Sequence, residues 1–422
     1  MKNPYRKLKY IHFWRFPGYI DFSKVVVAKT ARISFNPPRL KNSIGGIYYF
    51  FQLSLKYKWV YKEKKSTEGQ FLQLYGQKNC RLDHQNTFLN FAEKFNDADI
   101  IYGDFNRERN VNYVGFLKSI PLFVIWMAQM LMSGVSLYAS LNVIYYILIC
   151  YYQKAQLSEV FNRTYKFVVV FYDASPDENY IVQEFKNRGI LTMTLQHGMY
   201  SRKNTIKSIA DTAFEITGSI ADYYLAWNQY TKDEAVKMGV DEKRIVVLGP
   251  PRYIDLKEPE IPILAYNNIF GVILNNSSFD EHNRRLISMA NQIYDTTGFR
   301  FVVRYHPELP EAKYDSMLGE GFLSKGDNKR TIKEYAEGVS FTIISGSSVF
   351  IDLLLLKHPV YRLIVSEDDN YSSVKFNSFT TVKELQKLLK SKETENEAFF
   401  YLCDSYDVYQ KYRMFFDKIT YQ

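Results

Sequence analysis

Two histidines in different halves of this 422-residue chain follow apolar runs, at points where a strand would give way to a loop. His197 lies between Gln196 and Gly198, and His306 lies two residues after Arg304. Ligands of open α/β sheets bind beyond the carboxyl ends of the strands, so two such domains facing each other would present both histidines to one cleft. Imidazole titrates near neutral pH and can take a proton from a hydroxyl or, when charged, hold a phosphate. The spacing therefore predicts a two-domain enzyme that handles a phosphorylated donor.

The candidate donor-side residues follow strands of the C-terminal half. Arg304 and His306 alternate onto the same side of an extended segment, where each can donate to a phosphate. About forty residues later a glycine-containing serine turn opens a helix, and its N–H groups and hydroxyls would form a phosphate cradle. A serine there can instead be only the helix N-cap, and the aspartate one turn later can hold a ribose diol or face solvent. The donor-binding candidates are Arg304, His306, Glu308, Ser345, Gly346, Ser347, Ser348 and Asp352.

The candidate catalytic residues of the N-terminal half are His197 and Asp173, which end consecutive predicted strands. His197 is a candidate general base, although a histidine here can also be a core residue hydrogen-bonded to backbone. Asp173 would orient this histidine or act as the base itself. The chain has no Gly-x-Ser-x-Gly nucleophile elbow and no Walker lysine loop. The pair Asp97 and Asp99 precedes an apolar strand rather than following one, so we expect no metal site and no cofactor.

Strands and helices alternate from Tyr165 onward, as in parallel sheets covered by helices. The predicted strands span 167–171, 190–195, 222–227 and 245–248 before a proline-bearing linker at 257–262, and 269–274, 299–304, 341–344 and 360–363 after it. We therefore expect an N-terminal acceptor-side domain over 1–256, a C-terminal donor-binding domain over 263–394, and a helix over 395–422 that could pack back on the first domain. Earlier in the chain we expect a strand at 24–28, helix across 60–95 and a strand at 98–104.

The stretch 119–153 has no charged residue in 35 positions. Pro121, Gln129 and Asn142 interrupt its apolar pattern, which favours buried or interfacial helices over a spanning segment of ~20 apolar residues. The first fifteen residues carry five cations and no acid, and this pattern with its aromatic neighbours suits an anionic leaflet. Those aromatic residues are Tyr5, Tyr10, Phe13, Trp14 and Phe16. The alternative is a soluble enzyme in which the uncharged stretch is all core.

The formal net charge of +9 favours an anionic partner, such as a nucleotide-linked donor, a lipid phosphate or a membrane surface. No arginine-rich tract or zinc-finger spacing points to nucleic acid. Three isolated cysteines form neither a disulfide framework nor a metal motif, and no secretory signal peptide is expected. We therefore expect a cytoplasmic protein that is peripheral at the inner face of the cell membrane.

Taken together, these motifs resemble a known group of enzymes. Gln196-His197-Gly198, Arg304-x-His306-Pro307-Glu308 and Ser345-Gly346-Ser347-Ser348-x-x-x-Asp352 look like motifs of GT-B glycosyltransferases of bacterial capsular and surface polysaccharide synthesis. The pattern is also similar to Kdo and polysialic acid capsule transferases and to CDP-glycerol glycerophosphotransferases. The resemblance covers residues 165–365 and implies an α/β fold of two Rossmann-like domains with an inter-domain cleft. It implies that His197 is the base and that His306, Ser347 and Ser348 bind the donor phosphates. Asp352 occupies the position at which many nucleotide-sugar transferases have a glutamate.

The implied reaction is an inverting, metal-independent transfer from a nucleotide-sugar to a lipid-linked or oligosaccharide acceptor, in capsule, exopolysaccharide or cell-wall polysaccharide synthesis. Three alternatives remain open. A CDP-glycerol- or CDP-ribitol-dependent enzyme would move a polyol phosphate. A UDP-sugar 2-epimerase-like enzyme shares the architecture but would want more carboxylates at the cleft. A non-catalytic nucleotide-sugar-binding subunit would bind a donor without turning it over.

Overall fold

The structure is a computed structural model of the chain. It describes residues 5–25, 40–56, 61–66, 69–76, 82–103, 113–196, 198, 218–259, 267–307, 309–310, 312–326, 330–365, 374–391, 397–404 and 406–421. Two Rossmann-like α/β domains face each other across a cleft, which is a GT-B-like architecture. The predicted fold class is therefore confirmed.

The N-terminal domain is built on a seven-stranded sheet in the order β1-β3-β2-β4-β5-β6-β7. Its strands are β1 (Tyr61–Lys64), β2 (Phe71–Tyr75), β3 (Ala98–Gly103), β4 (Phe167–Val170), β5 (Leu191–Leu195), β6 (Tyr223–Ala226) and β7 (Ile245–Val247). Only β1, at the edge, is antiparallel to its neighbour. The central strands are continuous apolar runs because helices cover both faces of a parallel sheet. The strand order reverses between β2 and β4, so the carboxyl ends of these two strands form a crevice.

Helices of the N-terminal domain are α1 (Phe22–Val25), α2 (Leu40–Lys56), α3 (Leu82–Ala92), α4 (Tyr113–Met132), α5 (Leu137–Gln156), α6 (Ser158–Phe161), α7 (Pro176–Asn187) and α8 (Gln229–Lys237). Short 3-10 turns span Arg6–Tyr10, Glu242–Arg244 and Pro251–Tyr253. α7 begins as its sequence predicts: the Ser175 hydroxyl accepts from the Glu178 N–H at 3.4 Å, and Pro176 occupies the first helical position.

The C-terminal domain has a six-stranded, all-parallel sheet in the order β10-β9-β8-β11-β12-β13. Its strands are β8 (Ile269–Ile273), β9 (Arg300–Arg304), β10 (Phe322–Lys325), β11 (Thr342–Ile344), β12 (Val360–Leu363) and β13 (Ser378–Phe379). Its helices are α9 (Asp280–Thr297), α10 (Ile332–Ala336), α11 (Val349–Leu355) and α12 (Val382–Ser391), with 3-10 turns at Ser277–Phe279 and Asp315–Met317. Counted within the domain, this is the dinucleotide-fold order 3-2-1-4-5-6, whose crevice opens between β8 and β11.

The chain ends in α13 (Glu397–Cys403) and α14 (Val408–Thr420). α13 contacts both domains, since the Tyr401 hydroxyl donates to Asp233 of α8 at 2.9 Å. Phe399 of α13 is buried in the C-terminal domain against residues of α11. Tyr412 and Phe416 of α14 are buried under the N-terminal sheet. The Arg413 guanidinium also forms an ion pair with Asp97, in which one nitrogen lies 3.0 and 3.1 Å from the two carboxylate oxygens. The C-terminal helices α13 and α14 therefore connect the two domains by packing against both of them.

Two expectations for the first hundred residues are wrong. Lys24 and Val25 lie in α1 instead of a strand, because Asp21 caps that turn by accepting from the Ser23 N–H at 3.0 Å; residues 26–28 lie outside the described part. The segment 60–95 holds β1 and β2 as well as α3. All five residues of β2 are buried between β3 and β4, and this central position outweighs the polar composition of the surrounding sequence.

Candidate functional site

A cavity of about 340 Å³ lies between the domains at the carboxyl ends of their strands. The N-terminal domain contributes most of the wall, the segment after β7 contributes two residues, and the C-terminal domain contributes two. The lining residues are His84, Thr87, Phe171, Gln196, Gly198, Trp227, Pro251, Arg252, His306 and Ser348. His84, Arg252 and His306 are its titratable groups, and no carboxylate belongs to the described wall. The cavity therefore suits an anionic ligand.

The serine turn of the C-terminal domain follows β11, at the point where the strand order reverses. The Asn275 amide holds it by donating to the Ser345 carbonyl at 2.6 Å, and His282 Nδ1 lies 3.0 Å from the Ser345 hydroxyl. Gly346 has φ of 53°, a left-handed conformation that favours glycine. Ser347 accepts from the Val349 N–H at 3.4 Å, whereas the Ser348 side chain makes no cap hydrogen bond and lines the cavity. The Ser347 hydroxyl therefore stabilises the turn before α11, and the Ser348 side chain, at the N-cap position, is the one that lines the cavity.

The side chains of Arg304 and His306 have different surroundings. His306 lines the cavity, but the Arg304 guanidinium donates to the carbonyls of Arg330 and Thr331 at 2.8 and 3.3 Å. It also lies 5.6 Å from the centre of the Tyr335 ring. A donor contact by Arg304 stays a prediction that requires another side-chain orientation. Glu308, the remaining candidate after β9, lies outside the described residues.

Sequence reasoning missed Arg252, which comes from the first domain and reaches the serine turn of the second. Its guanidinium lies 2.8 Å from a carboxylate oxygen of Asp352 and stacks 4.7 Å from the Trp227 ring centre. It also donates at 3.5 Å to the carbonyl of Ser348. Burial raises the pKa of Asp352, and the charge of Arg252 opposes that rise. Asp352, which the sequence left open between a ribose ligand and a solvent-facing residue, therefore faces an arginine across the domain boundary.

His84 and Thr87 on α3 also line the cavity and were not anticipated. They lie three residues apart, so one face of the helix carries both side chains. The His84 ring centre lies 5.5 Å from that of Phe171, just after β4. The expectation of helical structure across 60–95 did not identify these residues, because the sequence pattern does not show which face of the helix meets the sheet.

The turn around the N-terminal histidine motif is fixed by Gln196, which is buried. Its side-chain amide donates to the Gly198 carbonyl at 2.8 Å and accepts from the Trp227 N–H at 2.7 Å. The Trp227 indole returns a hydrogen bond to the Gln196 carbonyl at 2.6 Å. Gln196 and Gly198 both line the cavity, whereas His197 lies outside the described residues.

Asp173 is 1% exposed and is not among the described lining residues. One carboxylate oxygen accepts from the Ser219 hydroxyl at 2.9 Å and from the N–H groups of Ile220 and Ala221, both at 2.7 Å. Burial raises its pKa, and these three donors act in the opposite direction. This geometry describes an anchor for the segment before β6, and it gives no support to Asp173 as a base acting on an acceptor.

Among the described residues, no group of three His, Cys, Asp or Glu side chains could hold a metal ion. The two aspartates considered from the sequence are engaged elsewhere. Asp97 pairs with Arg413, and Asp99 accepts from the Tyr165 hydroxyl and from the Ser66 N–H, both at 3.0 Å.

Glu178 closes the crevice of the N-terminal sheet. Its fully buried carboxylate accepts from the Gly76 N–H at 2.9 Å and from the Tyr172 N–H, joining the loops that follow β2 and β4. Burial raises its pKa to about 8, while the two N–H donors act against that rise.

We expect wild-type stability to decrease as the pH rises from about 5 to about 8, because folded Glu178 holds its proton above its ordinary pKa of 4.5. This contribution of Glu178 to the free energy of unfolding is fully present below the pKa of the unfolded state, and it is lost as the pH rises through the pKa of the folded state. In all it amounts to on the order of 4–5 kcal/mol. Glu178→Gln should remove this part of the slope in urea unfolding. The measurement compares how the free energy of unfolding changes with pH and not its absolute value, because the glutamine amide has one acceptor oxygen for the two N–H groups and the variant loses stability at every pH. Glu281→Gln, at an exposed site, is the control, and equal slopes in all three proteins would contradict the assignment.

Comparison with known proteins gives evidence at the level of fold. No protein-family model matches the chain, and no curated protein matches it. Among solved structures, UDP-GlcNAc 2-epimerase from Neisseria meningitidis bound to UDP-GlcNAc is 11% identical, with a TM-score of 0.50 over 83% of this chain and 100% of that one. A putative UDP-N-acetylglucosamine 2-epimerase from Listeria monocytogenes is 10% identical, with a TM-score of 0.50 over 83% and 95%. The lipopolysaccharide outer core galactosyltransferase WaaB, apo form, is 10% identical, with a TM-score of 0.49 over 82% and 99%. The two epimerase structures thus share the GT-B-like fold of this chain.

Proposed function

We propose that the protein is an inverting, metal-independent glycosyltransferase that moves a sugar from a nucleotide-sugar to a lipid-linked glycan during capsule, exopolysaccharide or cell-wall polysaccharide synthesis. The observation that carries this proposal is the cavity, where His306 and Ser348 of one domain meet Arg252, Gln196 and Gly198 of the other. These groups give an imidazole and a hydroxyl on the C-terminal side, and a guanidinium beside Gln196 and Gly198 on the N-terminal side.

In the proposed reaction the acceptor hydroxyl oxygen attacks the anomeric carbon, and the bond from that carbon to the donor phosphate breaks. His197 takes the hydroxyl proton, and the electron pair of the broken bond leaves on the phosphate. His306, Ser348 and Arg252 stabilise the developing charge by hydrogen bonds and Coulomb attraction in a partly water-excluded site. In this proposal, side chains of the protein stabilise the leaving phosphate without a metal ion.

A UDP-sugar 2-epimerase is the second candidate, because the two solved structures at a TM-score of 0.50 carry that name. An epimerase must remove and return a proton at carbon. The described wall of the cavity has no carboxylate for that task, which favours sugar transfer. A polyol-phosphate transferase would use the same cationic groups, so only the donor distinguishes it.

The test is calorimetric titration of the protein with UDP, CDP, CMP and GDP derivatives, followed by NMR of reactions with and without a glycan acceptor. We expect one nucleotide to bind and His306→Ala to weaken it by about 1.5–3 kcal/mol through loss of a charged donor. His12→Ala, at an exposed histidine remote from the cavity lining, should bind like wild type.

Three outcomes would contradict the proposal. Unchanged affinity in folded His306→Ala would remove the donor assignment. Conversion of a UDP-sugar to its 2-epimer without acceptor would identify an epimerase. Loss of transfer in EDTA, restored by Mg²⁺ or Mn²⁺, would show that the metal-independent mechanism is wrong.

A further inference from the structure

α4 presents an unusual outward face. The side chains of Tyr113, Leu117, Val124, Leu131 and Met132 are 70%, 63%, 58%, 44% and 80% exposed. They form an apolar stripe along a 20-residue helix, which is ~30 Å long at 1.5 Å per residue. Lys118 is the one charged side chain within α4. An exposed apolar surface of this length indicates a partner or a lipid surface.

α4 is long and apolar enough to cross a membrane by length and composition. Its other face, however, is bound to the domain: Leu122, Trp126 and Met130 are buried among residues of α2 and α5. Hydrogen bonds also fix its middle to the N-terminal segment. The Trp126 indole donates to the Trp14 carbonyl at 3.0 Å, and the Gln129 amide donates to the His12 carbonyl at 2.8 Å. A helix attached lengthwise to a folded domain can enter lipid only sideways, in the plane of the interface.

A basic cavity adjoins the end of this stripe. Arg6, Lys7 and Lys9, together with Ser23 and Ser133, line a space of about 580 Å³. Lys7 is bound to the turn after α4, since its ammonium donates to the Gly134 carbonyl at 3.1 Å. The segments 5–20 and 113–158 contain no acidic residue. The described lining of the cavity therefore carries three cations and no acid, and Asp21 beside it accepts from the Ser23 hydroxyl at 2.5 Å.

We propose that the stripe and the basic cavity form one docking surface for an anionic lipid leaflet. The stripe lies at the boundary of headgroups and acyl chains, and the cavity receives a lipid phosphate. Among the aromatic residues expected at the leaflet, Tyr5 and Phe13 are 0% and 2% exposed and belong to the core, whereas Tyr10 and Trp14 are 75% and 41% exposed. This docking does not rest on the proposed transferase activity, and its test needs no substrate.

The test is flotation of the full chain with vesicles of phosphatidylcholine alone or with about 30% phosphatidylglycerol. We expect binding to the anionic vesicles that weakens at high salt, since exposed charges are screened. Arg6→Glu/Lys9→Glu should lower partitioning roughly 30-fold or more at low salt. Leu117→Glu/Val124→Glu should lower it roughly tenfold or more, because charge on the stripe opposes burial in lipid.

The controls change an exposed apolar residue and two exposed cations elsewhere on the surface. Met414→Glu, at a 71% exposed methionine of α14, and Lys383→Glu/Lys390→Glu on α12 should float like wild type. The proposal is overturned by three results: wild type that binds no vesicles, controls that lose as much as the test variants, or binding that resists both salt and carbonate. A concentration-dependent dimer abolished by Leu117→Glu/Val124→Glu would instead assign the stripe to a second copy of the chain.

Discussion

Arg252→Ala is expected to slow sugar transfer by on the order of 10²- to 10³-fold, the loss typical of removing one preorganised donor to a developing negative charge. The guanidinium lies between the Trp227 ring and the serine turn, where the leaving phosphate is proposed to bind. Its ion pair with Asp352 places the charge at the junction of the two domains. Steady-state rates and nucleotide titrations of the purified variant measure the effect.

The single substitution has a second consequence, because Asp352 would keep a largely buried charge without its cation. Breaking one partner of such a pair costs roughly 3–5 kcal/mol when burial is complete, and less here because the Arg252 side chain is 26% exposed. Arg252→Ala/Asp352→Asn removes both charges and separates the two roles. We expect it to regain stability while turnover stays low. Recovery of turnover in the double variant would show that Arg252 only neutralises Asp352. Arg285→Ala, at an exposed arginine of α9, is the control for loss of one positive charge.

Much of the fold and part of the site could be predicted from sequence, for a physical reason. Strands buried on both faces are continuous apolar runs, so eight strands after Tyr165 were located within a residue or two, whereas the edge strands β10 and β13 of the C-terminal sheet were not predicted. Ligands meet the carboxyl ends of such strands, and His306 and Ser348 do line the cavity. The same logic works less well before Tyr165, where β2 is a short apolar run inside a polar segment.

The remaining site residues could not be predicted because only the packing of the folded chain, and no local sequence pattern, brings them to the cavity. Arg252 follows Gly249-Pro250-Pro251 at the end of β7, a turn recognised in the sequence, but no local pattern shows that it crosses to the other domain. His84 is one of several polar residues in α3, and only packing of that helix selects the face that meets the cavity. For Arg304, strand alternation predicts the same side as His306, and hydrogen bonds to the carbonyls of residues 330 and 331, which no local pattern shows, hold its guanidinium outside the described lining.

His197→Ala is expected to lower turnover by roughly 10²-fold or more while leaving nucleotide affinity unchanged, because a general base contributes to the chemical step and not to donor binding. The residues on either side of His197 in the sequence, Gln196 and Gly198, line the cavity. The rival base is His84, the imidazole that the described residues place on the N-terminal wall. Asp173 is a weaker rival, since three donors occupy one oxygen of its buried carboxylate.

The two histidines are distinguished by parallel variants, His197→Gln and His84→Gln, assayed for turnover at saturating donor and for nucleotide affinity by calorimetry. If His197 is the base, only its variant loses turnover by that factor, and His84→Gln changes chiefly the acceptor KM through lost contact with the sugar. The reverse pattern would move the base to α3. Full turnover in both single variants would exclude both imidazoles as the base and would contradict the proposed proton transfer to His197, since His306, the remaining imidazole of the described cavity wall, is assigned to the donor phosphate.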